Sequence, residues 1–348
     1  MMKKSKFLAL GLALALTVGL LSGCGGGAGE SPSPTPSVSV TPTPSASTPA
    51  EKQTVRFAAL KGPSGVGAAK LLADSEAGET HNDYEYSIVA DNTEIVAGLS
   101  GANPSLDIAA IASNVAANLY NKTDGGIQIA AVSGLGVLYV LENGDTVQSM
   151  ADLKGQTLYA VGQGANPEYV LNYLLTENGV EPAEVDIQWK TADEVTALMV
   201  SGEGKLCMMP VPAATAVMMQ NADVREALDL SGEWDALDNG SRLTMTCIAV
   251  RTAFAQEHPE AVENFLKDYA ASVEYTNADP AAASELVAQF GITPKAKIAE
   301  LAIPKSALVC ITGRVDMTAA IQGYFEALVA ANPDSIGGSM PDDAFYFG

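Results

Sequence analysis

Val55–Leu60 (VRFAAL), then Lys61–Gly67 (KGPSGVG), then Ala68–Leu72 (AAKLL) is the stretch that decides the fold class. A short apolar run that ends in a glycine-rich loop and passes into a helical pattern is the signature of a buried strand feeding a helix. The same grammar returns about a hundred residues later: Thr157–Val161 (TLYAV) as strand, Gly162–Pro167 (GQGANP) as loop, Glu168–Leu175 (EYVLNYLL) as helix. Each copy is followed by a second pair, Asp107–Ile111 into Ser113–Tyr120 and Lys205–Met209 into Val211–Met219. Two similar α/β halves, each presenting loops and helix N-termini, predict a protein that closes on something between them.

Working outward, Gln53–Leu60, Tyr84–Val89, Leu106–Ile111, Ile127–Val132 and Leu135–Leu141 read as strands of the first half, with short helices between them. Val185–Trp189, Ala192–Met199 and Lys205–Met209 continue the alternation in the second half. Leu243–Val250 is a long apolar strand able to carry the chain back, and helices follow at Pro259–Tyr275, Pro280–Phe290, Lys295–Ala302 and Thr318–Ala330. Such alternation argues for parallel α/β sheets. Ligands of open α/β sheets sit at the carboxyl ends of strands, here the loops Lys61–Gly67, Ala112–Asn114, Gly162–Pro167 and Pro210–Pro212, two from each half.

The N-terminal segment has a different character. Lys3, Lys4 and Lys6 precede the apolar Phe7–Leu21, which is too short and wrongly flanked for a membrane span and reads as a signal peptide. It ends in Leu21-Ser22-Gly23-Cys24, which resembles the bacterial lipobox, where cleavage precedes a lipid-modified cysteine; the plainer reading is an ordinary signal peptide with a chance cysteine. Gly25–Ala50 is rich in Gly, Ser, Pro and Thr, cannot bury enough apolar area to order itself, and is expected to be an extended tether of roughly 3.1 Å per residue. The expected organisation is signal peptide 1–23, lipidated Cys24 with tether to 52, then the folded body.

The 348 residues carry a formal charge of −22, and loss of three lysines with the signal peptide gives −22 − 3 = −25. With no basic stripe to neutralise phosphates, nucleic acid is not expected as a partner. Once Cys24 is assigned to lipid, Cys207, Cys247 and Cys310 remain, each in an apolar strand-like run. Three cysteines exclude a fully paired framework, leaving buried free thiols or one disulfide with a leftover. No zinc-type spacing exists, Gly67 is followed by Ala68 where a P-loop has Lys, and Gly65-Val66-Gly67 lacks the third dinucleotide glycine. Neither a cofactor nor a metal is expected. His81 and His258 lie in polar contexts with no neighbouring acid that would orient either for nucleophilic catalysis.

The candidate binding residues follow from the loops. Lys61, Pro63, Ser64 and Gly65 offer a cation, a hydroxyl and bare N–H groups; Ser113 and Asn114 offer donors or merely cap a helix; Gln163, Gly164, Ala165 and Asn166 place polar amides where a plain turn would accept small residues. Pro210 and Val211 belong to the fourth loop, and Tyr139, Tyr169 and Trp234 are candidates for an aromatic wall or for core. Met208, Met209, Met218 and Met219 read as adaptable packing.

Lipobox, tether, paired halves and Ala151-Asp152-Leu153-Lys154-Gly155 before a strand together resemble a solute-binding protein of an ABC importer. The DLKG-strand-GQG order, Val250–Phe254 and His258–Ala261 are similar to phrases of the group associated with nitrate, sulfonate, taurine and thiamine-pyrimidine uptake. The resemblance spans about Gln53 to Asn332. It implies a two-lobed type II periplasmic-binding fold, each lobe a mixed, mainly parallel sheet flanked by helices, joined by a two-strand hinge near Leu135–Glu142 and Ser241–Arg251. Lobe one would hold 53–138 and 245–348, and lobe two 139–244. It further implies a monomeric, non-enzymatic receptor outside the cytoplasm, anchored by Cys24 to the outer face of the cytoplasmic membrane, that hands a small polar or anionic solute to the transmembrane subunits of an ABC permease. Many members carry an acidic or aromatic residue beside the fourth-loop proline, where this chain has Pro210-Val211-Pro212. The resemblance leaves two alternatives open: a biosynthetic enzyme on the same fold, of thiamine-pyrimidine or menaquinone type, although the CCCFC motif of the pyrimidine synthases is absent; and a ligand sensor without transport.

Overall fold

The structure, a computed structural model, describes residues 52–348; the signal peptide, Cys24 and nearly all of the tether lie outside the described residues. In chain order the first half runs β1 (Thr54–Leu60), α1 (Pro63–Ala77), β2 (Asp83–Val89), α2 (Asn92–Ser100), β3 (Ile108–Ala112), α3 (Ser113–Lys122) and β4 (Ile127–Gly134). The middle runs β5 (Leu138–Asn143), β6 (Thr157–Ala160), α4 (Asn166–Glu177), β7 (Asp186–Trp189), α5 (Ala192–Ser201), β8 (Leu206–Pro210), α6 (Ala213–Gln220), β9 (Val224–Asp229) and α7 (Leu230–Asp235). The remainder is β10 (Thr246–Arg251), α8 (Thr252–Glu257), α9 (Pro259–Ala278), α10 (Pro280–Gln289), α11 (Ala296–Ala302), β11 (Leu308–Ile311) and α12 (Arg314–Ala331).

These elements form two sheets, ordered β11-β4-β10-β3-β1-β2 and β7-β6-β8-β5-β9, each flanked by helices. This is a two-lobed α/β architecture with one mixed sheet in each lobe, as expected from the sequence. The parallel ladders are β1 with β2 and β3, and β6 with β7 and β8. Antiparallel pairing enters with β10 and β5, the strands on which the chain returns to and leaves the first sheet, and with β11 and β9 at the sheet edges. The chain leaves the first sheet between Gly134 and Leu138 and rejoins it at Thr246. No helix among the described residues is long and apolar enough to cross a membrane.

The opening strand shows why its sequence reads as an unbroken apolar run. Val55, Phe57 and Ala59 pack with α1 and α9, whereas Ala58 packs with Ile111, Ala116 and Ala117 on the other face. Both faces are covered, so neither tolerates polar residues. At the loop, a Cβ on Gly65 would stand 2.6 Å from the Leu60 carbonyl oxygen, so glycine is what lets α1 start that close to the strand. The second apolar cluster does not stop at the lobe boundary. It continues from Ile111 through Met317, Ile321 and Tyr324 of α12 to Trp234, Val170 and Leu171 of the second lobe.

Cys207, Cys247 and Cys310 are free thiols. Burial pushes Cys207 up to about 12 and Cys310 up to about 11, and raises Cys247 as well. The strand β9 and the short helices α7 and α8 escape the sequence reading. β9 carries Arg225, Glu226 and Asp229 in a six-residue strand, and α7 is only six residues long. Arg225 is charged because it serves a buried partner: its guanidinium reaches Glu142 on β5 at 2.5 Å and the Val147 carbonyl at 2.7 Å.

Candidate ligand cleft

A cavity of about 710 Å³ opens between the lobes. Lobe one supplies Lys61, Gly62 and Pro63 where β1 passes into α1, Ile292, Pro294 and Lys295 from the segment joining α10 to α11, and Ile298 of α11. The second lobe supplies Ala192, Asp193 and Thr196 of α5, Pro210–Pro212 after β8, and Ala213, Ala216, Met219 and Gln220 of α6. Apolar side chains predominate, and Met219 is a large hydrophobic side chain left 43% exposed. The charged members are Lys61, Lys295 and Asp193. Among the described residues none of the three takes part in an ion pair.

The four strand-end loops separate into two pairs. Lys61, Pro63, Pro210 and Val211, all expected from sequence, line this cavity. Ser64 and Gly65 are buried under it. The other two loops meet at one carbonyl: the Ser113 backbone N–H and the Asn166 side-chain amide both donate to Met245 O, at 3.0 and 3.2 Å. Ser113 Oγ donates to Thr244 O at 2.6 Å, and Asn166 Oδ1 accepts from the Tyr324 hydroxyl at 2.7 Å. Ser113 and Asn166 are 0% and 3% exposed and are not among the cavity-lining residues. Asn114 is equally buried, its amide donating to Ser335 O at 3.4 Å while its Oδ1 has no partner. In the same loop Gln163 and Gly164 are exposed, Ala165 is half-buried, and the Gly164 N–H donates to the Glu168 carboxylate at the start of α4.

The aromatic candidates also lie away from this cavity. Tyr139 is buried, donates to Lys305 O at 3.3 Å, and carries the Lys305 ammonium 5.3 Å above its ring. Burial, with Asp229 and Glu226 nearby, pushes its phenol pKa well up. Trp234 is fully buried, donates to Ser241 Oγ at 2.8 Å, and lies against the Tyr173 and Tyr324 rings. Tyr169 lines a smaller crevice of about 310 Å³ with Glu168, Asn172, Ala331 and Asn332.

Sequence reasoning missed Lys295, Asp193, Thr196 and Met219. Lys295 arrives from 295 − 61 = 234 residues downstream of Lys61, and no local pattern announces that proximity. The sequence context of neither histidine suggests an orienting acid; in space His81 Nδ1 lies 2.5 Å from Asp268 Oδ1, a partner 187 residues away. The third group on Asp268 is the Tyr84 phenol at 2.7 Å, neither a serine nor a thiol, and the cluster lies outside the cavity lining. Among the described residues no group of three His, Cys, Asp or Glu side chains is placed to hold a metal.

Residues 127–283 match the family described as NMT1/THI5 like. No curated protein sequence matches the chain. Among solved structures, an ABC transporter protein from Parabacteroides distasonis superposes with a TM-score of 0.70 at 19% identity, covering 85% of this chain and 99% of that one. The periplasmic aliphatic sulphonate binding protein SsuA from Escherichia coli gives 0.66 at 15% identity, covering 83% and 91%. The alkanesulfonate-binding protein SsuA from Xanthomonas axonopodis pv. citri, bound to MOPS, gives 0.63 at 14%, covering 81% and 94%. These likenesses fix the fold, and they fall in the group that the sequence resembles.

Proposed function

We propose that this chain is the extracytoplasmic receptor of an ABC importer, binding a small organic anion with an apolar body in the cleft between its lobes. The observation that carries the reading is the cavity itself: about 710 Å³, walled by strand-end loops and helices of both lobes, mainly apolar, with two lysines on its first-lobe side that make no ion pair among the described residues. That volume lies within the roughly 300–1,000 Å³ of small-molecule sites. A bare oxyanion little larger than a water, whose share of liquid is about 30 Å³, would leave most of it to solvent. An apolar body against Pro63, Pro210, Val211, Ile292 and Met219 uses the walls that are present. The names of the sulfonate-binding neighbours agree with an anionic head.

The mechanism in this reading is differential affinity. A ligand that touches both lobes only when they approach shifts the population toward the approached form by as much as its affinities for the two forms differ. No bond is made or broken. Delivery to permease subunits, anchoring through Cys24 and a monomeric state complete the proposal.

Calorimetry on protein stripped of carried ligand, against sulfonates and carboxylates with and without an apolar body, tests the reading. The expected result is binding by apolar-bodied anions that weakens at least tenfold in a Lys61→Ala/Lys295→Ala double variant. Affinity indifferent to both lysines would remove this cavity as the site.

A further inference from the structure

The charges in the cleft are divided between the lobes. Lys61 and Lys295 belong to the first lobe, and the single carboxylate, Asp193, projects from α5 of the second. An acidic residue in the first turn of a helix commonly serves the helix terminus, but here the hydrogen-bonding part of that role belongs to Glu194. Thr191 Oγ1 accepts from the Glu194 N–H at 3.3 Å, and the Glu194 carboxylate accepts from the Thr191 N–H and hydroxyl at 2.9 and 2.8 Å. The capping box is complete without Asp193, which is exposed, lines the cavity, and makes no side-chain hydrogen bond or ion pair among the described residues.

We infer that the ligand is zwitterionic: an anionic group facing Lys61 and Lys295, an apolar middle, and a cationic nitrogen facing Asp193, with Thr196 and Gln220 as polar neighbours. This inference rests on the receptor reading above and names its substrate class. A plain anion draws its charge interactions from one lobe and gains nothing electrostatic from the other, whereas a zwitterion is held at opposite ends by opposite lobes. Its charge interactions are therefore complete only when the lobes approach, which is the differential affinity that closure requires. The two charge types also exclude on each side: a carboxylate facing Asp193 or an ammonium facing the lysines meets a like charge.

The test uses the full chain and two matched probes, an N-cyclohexyl aminoalkyl sulfonate and the same skeleton with the amine replaced by a methylene, together with the corresponding carboxylate pair. The native protein is expected to bind the amine-bearing member about tenfold tighter, a difference of about 1.4 kcal/mol. Asp193→Asn is expected to erase that preference while leaving the amine-free member within about twofold. An unchanged preference in Asp193→Asn, or a native protein favouring the amine-free member, overturns the zwitterion assignment and leaves the anion receptor standing. Probe affinities unaffected by Lys61→Ala/Lys295→Ala overturn both together. The carboxylate pair reports which anion the lysines accept: the amine preference must hold in at least one pair, and its absence from both is the overturning result.

Discussion

The Tyr324 hydroxyl donates to Asn166 Oδ1 at 2.7 Å, joining α12 of the first lobe to the first turn of α4 in the second, with both side chains buried. The same Asn166 holds the Met245 carbonyl through its amide, so this side chain is fully engaged on the side of the molecule where apolar packing already runs across the lobes. Removing the tyrosine hydroxyl leaves a buried acceptor unpaired, at a cost of about 1–3 kcal/mol. Tyr324→Phe and Asn166→Ala are each expected to lower stability by that order, and the double variant by less than their sum. Urea unfolding of the four proteins checks it; additive losses would mean that the pair does not act as a unit.

Asn166 and Gln163 were equivalent candidates in the sequence, and the structure separates them. Gln163→Ala, at an exposed position, is expected to change stability by no more than about 0.5 kcal/mol, in contrast to Asn166→Ala. Equal losses of stability in the two single variants would show that exposure does not distinguish these positions.

Asp107 accepts four hydrogen bonds from two arginines: Arg56 Nη2 at 2.5 Å, Arg56 Nε at 2.8 Å, the Arg56 backbone N–H at 3.0 Å and Arg251 Nη2 at 2.7 Å. Burial by itself would raise its carboxyl pKa, and the hydrogen bonds from Arg56 and Arg251 outweigh it, leaving the group below the ordinary carboxylate value. A depressed folded pKa contributes stability that is fully present above the unfolded value of about 3.9 and is lost as pH falls through the folded value. Asp107→Asn is expected to cost about 1–2 kcal/mol at pH 7, by weakening charge-assisted hydrogen bonds from two partly exposed arginines, and to lose less stability than the native chain as pH falls below about 4. Denaturation midpoints across that window decide; parallel curves would exclude this carboxylate from the acid limb.

Gly323 sits inside α12, where alanine is the better helix former by up to about 1 kcal/mol. A Cβ there would stand 2.4 Å from Ser241 Cβ and 3.2 Å from Ser241 Cα. Backbone cannot swing aside as a side chain does, and overpacking costs about 1–3 kcal/mol, so the clash wins. Gly323→Ala is expected to lower Tm by several degrees, and a raised Tm would show that propensity governs.

The thiols give an independent check on packing. Cys207 and Cys247 are buried with raised pKa values, so neither forms thiolate readily near pH 8. In native protein a thiol reagent is expected to reach Cys310, half-buried, slowly and the other two not at all; in denaturant all three react. Rapid labelling of Cys207 in native protein would contradict the core described for the second sheet.

What the sequence revealed, and what it withheld, follows the range of the interactions. VRFAAL-KGPSGVG and its later counterpart are local, since apolar period, turn glycines and helix start lie within twenty residues, and the strand–loop–helix order was legible there. Lys61, Pro63, Pro210 and Val211 were found because strand ends predict where loops gather. Lys295 and Asp193 were missed because each stands in an unremarkable polar context and acquires meaning only across the cleft. Strand β9 was missed because Arg225 and Glu226 break the apolar pattern to satisfy Glu142 and Lys305 on other elements. His81 found its carboxylate at Asp268 for the same long-range reason.

The position of β10 bears on the order in which the molecule is completed. It lies between β3 and β4, paired to both, although it is the tenth strand along the chain. A growing or threading chain can therefore assemble the second sheet, whose strands all lie within residues 138–229, while the first still lacks a central member. We predict that the second lobe acquires protected amides before the first, and that β3 and β4 wait for a partner more than a hundred residues downstream. Pulse-labelling hydrogen exchange during refolding reads that order directly. Simultaneous protection of β3 and β6 would mean that the two lobes fold as one unit.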